Sequence, residues 1–279
     1  MRNSIAILFF ILIISCQKEY KTYYEDGTLK TVAEIHDSKF HGSFKAYYEN
    51  GELEFTGNYE NGLMDGIFNY YTTDGFNDVK ILFEMDTVQY KWGYYNTGEI
   101  KDEGFVKDEK KAGRWIYYEP MKDSIKEIKE YFHIGEKKHL NQVLEVNHKG
   151  DTIGGEYFWL SFKEPLTIKN QLINFHLKEL SYLDGSEFYL CIPTNESENF
   201  ELDFTNESEV VLDTIKFDLE KDPSPIELNY TTPGEKSFRG FIIEYWESPE
   251  PEVTDFDLVT RKIYFDEEIF IEDRSKAKK

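Results

Sequence analysis

The clearest repeating unit of the chain is the stretch YYENGELEFTGNYENGLMDGIF, which runs from Tyr47 to Phe68. Its second tyrosine recurs along the first half of the chain at spacings of 24, 23, 24 and 23 residues, at Tyr24, Tyr48, Tyr71, Tyr95 and Tyr118. Two series of glycines keep this period, namely Gly27, Gly51, Gly75 and Gly98, and Gly42, Gly66 and (two periods on) Gly113. A fixed period of this length is the sequence signature of a repeat architecture.

Each unit predicts two short strands and two turns. Asn50-Gly51 and Asn61-Gly62 are typical of tight hairpin turns in which both central residues take positive φ. We expect the same turn at three Asp-Gly pairs, Asp26-Gly27, Asp65-Gly66 and Asp74-Gly75. Between the turns, apolar and polar residues alternate at the period of a β-strand. A unit of this size has too little apolar surface to fold alone, so neighbouring units are expected to stack into an elongated sheet.

This pattern resembles the MORN-variant (membrane occupation and recognition nexus) repeat family, whose signature is a tyrosine pair, a glycine turn, an aromatic-glycine strand and Gly-x-Trp/Phe. Gly113-Arg114-Trp115-Ile116-Tyr117-Tyr118 fits that signature closely. The resemblance covers residues 20–120, and a weakened repeat extends the predicted domain over 23–160. The third unit departs from the pattern at Phe76-Asn77-Asp78-Val79, and Pro120-Met121 replaces a glycine after Tyr118. We expect both departures at caps or sheet edges.

The resemblance implies a role in scaffolding, protein assembly or lipid binding, and many bacterial members are described as antitoxin components. Residues 20–120 carry 19 Asp and Glu against 11 Lys and Arg. That balance lacks the basic patch that phosphoinositide binding requires. The whole chain has a formal net charge of −22, which disfavours nucleic acid and anionic lipid as main partners.

The N-terminus resembles a bacterial lipoprotein signal. A cationic start, Met1-Arg2-Asn3-Ser4, precedes ten apolar residues, which are too few to span a membrane. The run ends in Ile13-Ile14-Ser15-Cys16, similar to a lipobox. The resemblance implies that residues 1–15 are removed, that Cys16 is acylated, and that 16–22 form a lipidated tether to the membrane. An ordinary secretory signal with a chance cysteine is the alternative.

The residues after Cys16, Gln17-Lys18-Glu19, resemble the export signal of surface lipoproteins in Bacteroidota. This implies a cell-envelope protein anchored in the outer membrane and exposed at the surface. The other interpretation is a polar spacer.

The second half predicts a different β domain, so the chain is expected to be all-β. Residues 161–275 are predicted to form a β-sandwich, with an immunoglobulin-like topology as the default and 276–279 as a basic tail. Its expected strands carry alternating apolar residues, including Ile173/Phe175/Leu177, Phe188/Leu190/Ile192, Phe200/Leu202/Phe204, Phe241/Ile243/Tyr245 and Ile263/Phe265.

No pattern in the chain specifies an enzyme, so we predict a non-enzymatic protein without a cofactor. The six histidines match no zinc spacing, and no nucleophile elbow, phosphate loop or dinucleotide fingerprint occurs. His36 and His41 are interpreted as surface polar residues. Cys191, between Leu190 and Ile192, is interpreted as a buried, inert thiol.

Four Asp-Ser/Thr-apolar triplets resemble the O-glycosylation sequon of secreted Bacteroidota proteins. Their acceptors would be Thr87, Ser124, Thr152 and Thr214. The alternative is ordinary turn-then-strand chemistry.

The leading functional hypothesis is an envelope lipoprotein that binds an unidentified protein partner and acts as a scaffold. The candidate partner-binding aromatics are Tyr48, Tyr71, Tyr95, Trp115 and Tyr118. Packing within the sheet is the other interpretation of these rings. A carbohydrate-binding surface module is the alternative function. An antitoxin-like protein and an envelope enzyme with an unrecognised site are less favoured.

Overall fold

The computed structural model describes residues 18–120, 124–135, 137–161, 165–178, 186–194, 200–201, 204–217, 224–247 and 258–273. Within these ranges the chain is all-β, as predicted, with 18 strands, one short 3-10 helix and no α-helix. No helix in this part of the chain is long and apolar enough to cross a membrane. The chain divides into two compact units, Met1–Gly98 and Glu99–Lys279.

The first unit contains seven strands. They are β1 (Lys18–Tyr23), β2 (Leu29–His36), β3 (Lys39–Tyr47), β4 (Leu53–Glu60), β5 (Leu63–Tyr71), β6 (Asn77–Glu84) and β7 (Thr87–Tyr94). Each strand pairs antiparallel with the next one in the chain. This confirms the predicted repeat of antiparallel hairpins. β1 also overlaps the predicted tether from Lys18 onward.

Two kinds of turn alternate along these strands. At Asn61-Gly62 both central residues have positive φ, 53° and 93°, as predicted. The same geometry occurs without glycine at Asp37-Ser38, Met85-Asp86 and, in the second unit, Asp108-Glu109.

The turns at Gly27, Gly51 and Gly75 are longer than predicted. Only the glycine has positive φ there, so the expectation for Asp26, Asn50 and Asp74 is wrong. Side-chain hydrogen bonds stabilise a different loop at each site. The Glu52 amide donates to Asn50 Oδ1 at 3.0 Å, and the Thr28 amide donates to Asp26 Oδ1 at 2.8 Å. At Gly75 the Phe76 amide donates to Thr72 Oγ1 at 3.2 Å instead.

Two further expectations are corrected in this unit. Asp65-Gly66 is not a turn but lies inside β5, where Gly66 has a φ of 79°. The third unit is not an edge either, because β6 pairs with both β5 and β7. Backbone pairing tolerates Asn77-Asp78-Val79 in place of the glycine-rich strand.

The two faces of this sheet differ in chemistry. One face carries Phe44, Phe55 and Phe68, of which Phe68 is fully buried. The Phe44 and Phe55 rings stack at 5.4 Å with an angle of 7° between their planes. The opposite face carries a continuous cross-strand row, Val32, Lys45, Thr56, Asn69, Lys80 and Trp92.

The second unit contains eleven strands and the 3-10 helix Glu207–Glu209. The strands are β8 (Ile100–Lys107), β9 (Lys110–Tyr118), β10 (Ile125–Ile134), β11 (Lys137–Val146), β12 (Thr152–Ser161), β13 (Leu172–Lys178), β14 (Glu187–Pro193), β15 (Leu212–Lys216), β16 (Ser224–Glu227), β17 (Gly234–Glu247) and β18 (Leu258–Ile271). β8 to β13 follow one another in antiparallel order, with β16 beside β13, and a smaller sheet has the order β15-β14-β17-β18. The expected edge after Tyr118 is wrong, since β9 pairs with β10 on the far side of Pro120, while Met121 lies outside the described residues.

A shared apolar core joins the smaller sheet to β12, β13 and β16. Ile173 and Phe175 from one sheet pack in the same cluster as Leu190, Ile242 and Phe265 from the other. This is the packing of a β-sandwich. The predicted domain boundary at residues 160–161 falls at the end of β12 and stays a prediction.

The predicted strand at Phe200/Leu202/Phe204 is wrong. Phe200 and Phe204 lie outside the strands, and Leu202 lies outside the described residues. Phe204 has a φ of 55°, which no strand accommodates. Both rings are nevertheless buried, in a second cluster with Phe241 and Tyr264. The alternation of apolar residues at these positions therefore reflects two side chains that a loop buries, and not a strand.

A buried amide fixes β18 to β11. Asn141, 1 % exposed, donates from Nδ2 to the carbonyl oxygen of Tyr264 at 2.7 Å. Its Oδ1 accepts from the Tyr264 amide at 2.6 Å. One side chain thus satisfies both backbone groups of a residue in the other sheet.

Candidate functional site

Two of the periodic tyrosines of the first unit, Tyr24 and Tyr48, donate hydrogen bonds to the backbone of the next repeat. Tyr24 Oη donates to the carbonyl oxygen of Tyr47, and Tyr48 Oη donates to that of Tyr71, both at 2.7 Å. Partial burial raises the pKa of the Tyr48 hydroxyl, and the charges of Glu54 and Asp78 raise it further. The hydroxyl therefore stays a donor at neutral pH. We call these two bonds the tyrosine ladder.

The five candidate partner-binding aromatics do not form one surface patch within either unit. Tyr48, Tyr71 and Tyr95 belong to the first unit and are half-buried. Trp115 and Tyr118 belong to the second, where Tyr118 Oη donates to Glu103 Oε1 at 2.5 Å. Only 1 % of Trp115 is exposed, so its ring offers no face to a partner here.

Trp115 is held by contacts inside its hairpin. Its Nε1 donates to the carbonyl oxygen of Phe105 at 2.8 Å, and Lys111 Nζ lies 3.7 Å from the ring centroid. The ring lies against Gly104, where an added Cβ would come within 2.5 Å of Trp115 Cδ1. Gly57 and Phe68 make the equivalent contact 47 residues earlier, at 2.3 Å. Gly57 and Gly104 therefore recur two periods apart because each leaves room for an aromatic ring of the next strand.

The second unit contains a cleft that sequence reasoning missed. It encloses about 270 Å³ and is lined by side chains of β9 to β12, including Arg114, Glu130, Gln142, Tyr157 and Trp159. We call it the Trp159 cleft. Along β12, Tyr157, Phe158 and Trp159 all line the cleft, and Phe158 also belongs to the apolar core. The Tyr-Phe-Trp sequence at 157–159 is the only local signal that could have pointed to it.

Polar side chains fix a carboxylate in this cleft. Glu130 Oε2 accepts from Asn141 Nδ2 and from Gln142 Nε2, both at 2.7 Å. Gln142 is itself oriented, because its Oε1 accepts from the Phe158 amide at 2.9 Å. Glu130 Oε1 faces Arg114 Nε at 3.8 Å, and the Arg114 side chain is 73 % exposed. The carboxylate is therefore held in place while the guanidinium can reach solvent.

Aromatic rings form the other wall of the Trp159 cleft. Trp159 is 38 % exposed and stacks on His176 with centroids 4.5 Å apart and planes within 3°. Ser161 Oγ and His176 Nε2 are 2.7 Å apart, so that ring is fixed too. Tyr157 lies 5.8 Å from Trp159 on the same strand face.

A second opening, of about 320 Å³, lies beside β14, β15 and β17 and is lined by Asp213, Thr214, Tyr230 and Arg239, among others. Arg239 is already engaged, since Nε donates to Asp266 Oδ1 at 2.9 Å and a terminal nitrogen donates to the carbonyl oxygen of Phe200 at 3.1 Å.

Most of the candidate glycosylation residues lie at or next to the start of a strand, where an ordinary turn followed by a strand would also put an Asp-Ser or Asp-Thr pair. Thr87 and Thr152 are the first residues of β7 and β12, and both are exposed. Thr214 is exposed in β15, and half-buried Ser124 directly precedes β10. Both interpretations of these residues stay open.

Other candidate residues occupy unremarkable surroundings. Cys16 and the predicted signal, 1–15, lie outside the described residues. Cys191 is 5 % exposed, and burial raises the pKa of its thiol. The rings of His36 and His41 are 5.7 Å apart near the ends of β2 and β3. Among the residues that the structure describes, no cluster of three His, Cys, Asp or Glu side chains could hold a metal ion.

Comparison of the chain with protein-family models gave no match, and comparison with curated proteins gave none either.

Proposed function

We propose that the chain is a non-enzymatic, lipid-anchored protein of the cell envelope that acts as a scaffold through MORN-type repeats. The observation that carries the proposal is the antiparallel hairpin repeat, in which neighbouring strands pair in sequence and the tyrosine ladder joins successive repeats. Such repeats form extended surfaces that suit macromolecular partners. The absence of a recognised catalytic motif from the sequence supports a binding role.

We place the partner on the face of the first unit that carries the cross-strand row from Val32 to Trp92, which we call the polar row. The cross-strand row from Val32 to Trp92 includes two lysines, Lys45 and Lys80, with Thr56 and Asn69 between them in register. Lys80 Nζ lies 4.9 Å from the Trp92 ring centroid, so this aromatic adjoins a cation. A mixed polar and aromatic surface is typical of the interfaces of non-obligate protein complexes.

The partner is tested by proximity labelling in intact cells of the source organism. The wild-type chain is compared with Asn69→Glu, which places a charge in the middle of the polar row. We expect N69E to lose one labelled protein that the wild type and Glu99→Gln, a control outside the row, both label. Identical labelling by all three chains would contradict the scaffold role of this face.

The anchor is tested separately, because it rests on the N-terminal sequence alone. Mass spectrometry of the protein from membranes should find acyl chains on Cys16, and Cys16→Ala should release the protein from the membrane fraction. β1 begins at Lys18, so the acylated residue would lie two residues from a sheet strand. An unprocessed N-terminus in a cytosolic fraction would overturn the envelope location.

A further inference from the structure

We infer that the Trp159 cleft is a binding site for a neutral saccharide. The inference does not depend on the proposed scaffold role, since the cleft lies in the second unit and the polar row in the first. Its volume of about 270 Å³ is just below the range for small-molecule sites, about 300–1,000 Å³. That size suits one or two sugar rings of a longer chain.

The polar groups match what sugar hydroxyls require. Each hydroxyl both donates and accepts. Glu130 supplies an acceptor whose position is fixed by Asn141 and Gln142, and Arg114 supplies donors beside it. A site built on groups that are already oriented loses little conformational entropy on binding.

The rings supply the apolar part of the recognition. A pyranose has a face of C–H groups that packs on aromatic rings, and Tyr157 and Trp159 both line the cleft. Their neighbour His176 is hydrogen-bonded to Ser161 and stacks on Trp159, so the wall is rigid. Tyrosine and tryptophan combine large contact area with few rotatable bonds.

Charge decides between ligand classes. Burial and the charge of Glu130 raise the pKa of the nearby Glu267 carboxyl, while Arg114 lowers it. Within the lining itself, the fixed Glu130 carboxylate faces the one guanidinium of Arg114, so the net charge offers no attraction to an acidic sugar, a phosphate or another anion. A purely apolar ligand is disfavoured as well, because it would desolvate Glu130 and Arg114 without replacing their hydrogen bonds. An uncharged polyhydroxyl ligand meets both conditions.

The test uses the full chain in detergent, labelled with 5-fluorotryptophan and titrated with four neutral hexasaccharides: cellohexaose, maltohexaose, xylohexaose and mannohexaose. The chain has four tryptophans, so ¹⁹F NMR resolves each indole, and Trp159→Phe assigns the signal of interest. We expect at least one hexasaccharide to move the Trp159 signal saturably, with a Kd of about 1 mM or lower.

Two variants and a control complete the experiment. Trp159→Ala removes a part-exposed ring, and Glu130→Gln keeps an oxygen for Asn141 and Gln142 while removing the charge. Because Trp159→Ala lacks the reporter signal, the affinities of the wild type and of both variants are compared by isothermal titration calorimetry, and each variant should bind at least tenfold more weakly. Phe270→Ala removes an aromatic side chain that is 59 % exposed and does not line the cleft, and it should leave affinity unchanged. The inference is overturned if no hexasaccharide moves the wild-type Trp159 signal, or if W159A and E130Q bind like the wild type.

Discussion

Tyr48 donates a hydrogen bond from its side-chain hydroxyl to the carbonyl oxygen of Tyr71, 23 residues later, at 2.7 Å. Tyr24 repeats the contact one unit earlier, on Tyr47. The bond joins the loop that follows β3 to the end of β5. In the sheet itself β3 and β5 are connected only through β4, which pairs with both, so the side chain adds a direct link between repeats. At Tyr24 and Tyr48 the spacing of the tyrosines therefore matches the spacing of the strand ends that accept their hydrogen bonds.

Tyr48→Phe should destabilise the chain without altering its fold. The substitution removes one donor and keeps the ring, so the expected loss is about 0.5–1.5 kcal/mol of unfolding free energy. Urea unfolding followed by circular dichroism measures it. Tyr23→Phe is the matched control, since Tyr23 is 58 % exposed, and should change stability little. Equal stabilities of Y48F and Y23F would contradict the structural role of the ladder.

Gly57→Ala should be more damaging than a single methyl suggests. The new Cβ would lie 2.3 Å from Cδ1 of Phe68, whose ring is fully buried. Overpacking of this kind costs about 1–3 kcal/mol. Thermal unfolding of G57A should show the loss.

The double variant G57A/Phe68→Leu separates the steric effect from β-propensity. Removing the ring should make the two substitutions non-additive, with the alanine costing less beside leucine than beside phenylalanine. Strict additivity would show that the ring is not what requires glycine here.

The hairpin repeat could be predicted from the sequence because tyrosine and glycine recur at positions where backbone geometry or packing demands them. Glycine is required at position 51 because the backbone has positive φ there, and at position 57 because a side chain would collide with Phe68. The sequence alone does not distinguish these two reasons. The turns at Asp37-Ser38 and Met85-Asp86 escaped prediction because residues other than glycine take positive φ there. Strand register forces that conformation, and register is not a local property.

The Trp159 cleft could not be predicted because its parts are distant in the sequence. Arg114 and Trp159 are 45 residues apart and meet only once β9 to β12 have paired. Glu130 is one of 54 acidic residues, and what distinguishes it is two amide donors from the adjacent strand. At Phe200 and Phe204 the sequence predicted a strand that the structure does not contain. The alternation of apolar residues arose there because a loop buries both rings.

Asn141→Ala should weaken the attachment of β18 to β11. The Tyr264 amide and carbonyl would both lose their partner in a buried site, and an unsatisfied buried group costs about 1–3 kcal/mol. Asn141→Asp should be no better, because a carboxylate cannot donate to the Tyr264 carbonyl and would lie beside Glu130. Hydrogen exchange at the Tyr264 amide measures the local effect. Unchanged protection in both variants would refute it.

Alkaline pH should destabilise the second unit through Tyr131. Burial, with the hydroxyl of Tyr117 at 2.9 Å, raises the pKa of Tyr131 from 10.0 to about 12. Below pH 10 the phenol is neutral in both states, so its contribution to stability is fully present. Between pH 10 and about 12 the unfolded chain loses this proton and the folded chain keeps it, so stability falls as pH rises. Above about 12 both states are ionised and this dependence ends. Urea unfolding of the wild type and Tyr131→Phe across this range should show the shallower decline in Y131F. Parallel curves would mean that Tyr131 titrates alike in both states and would contradict this prediction.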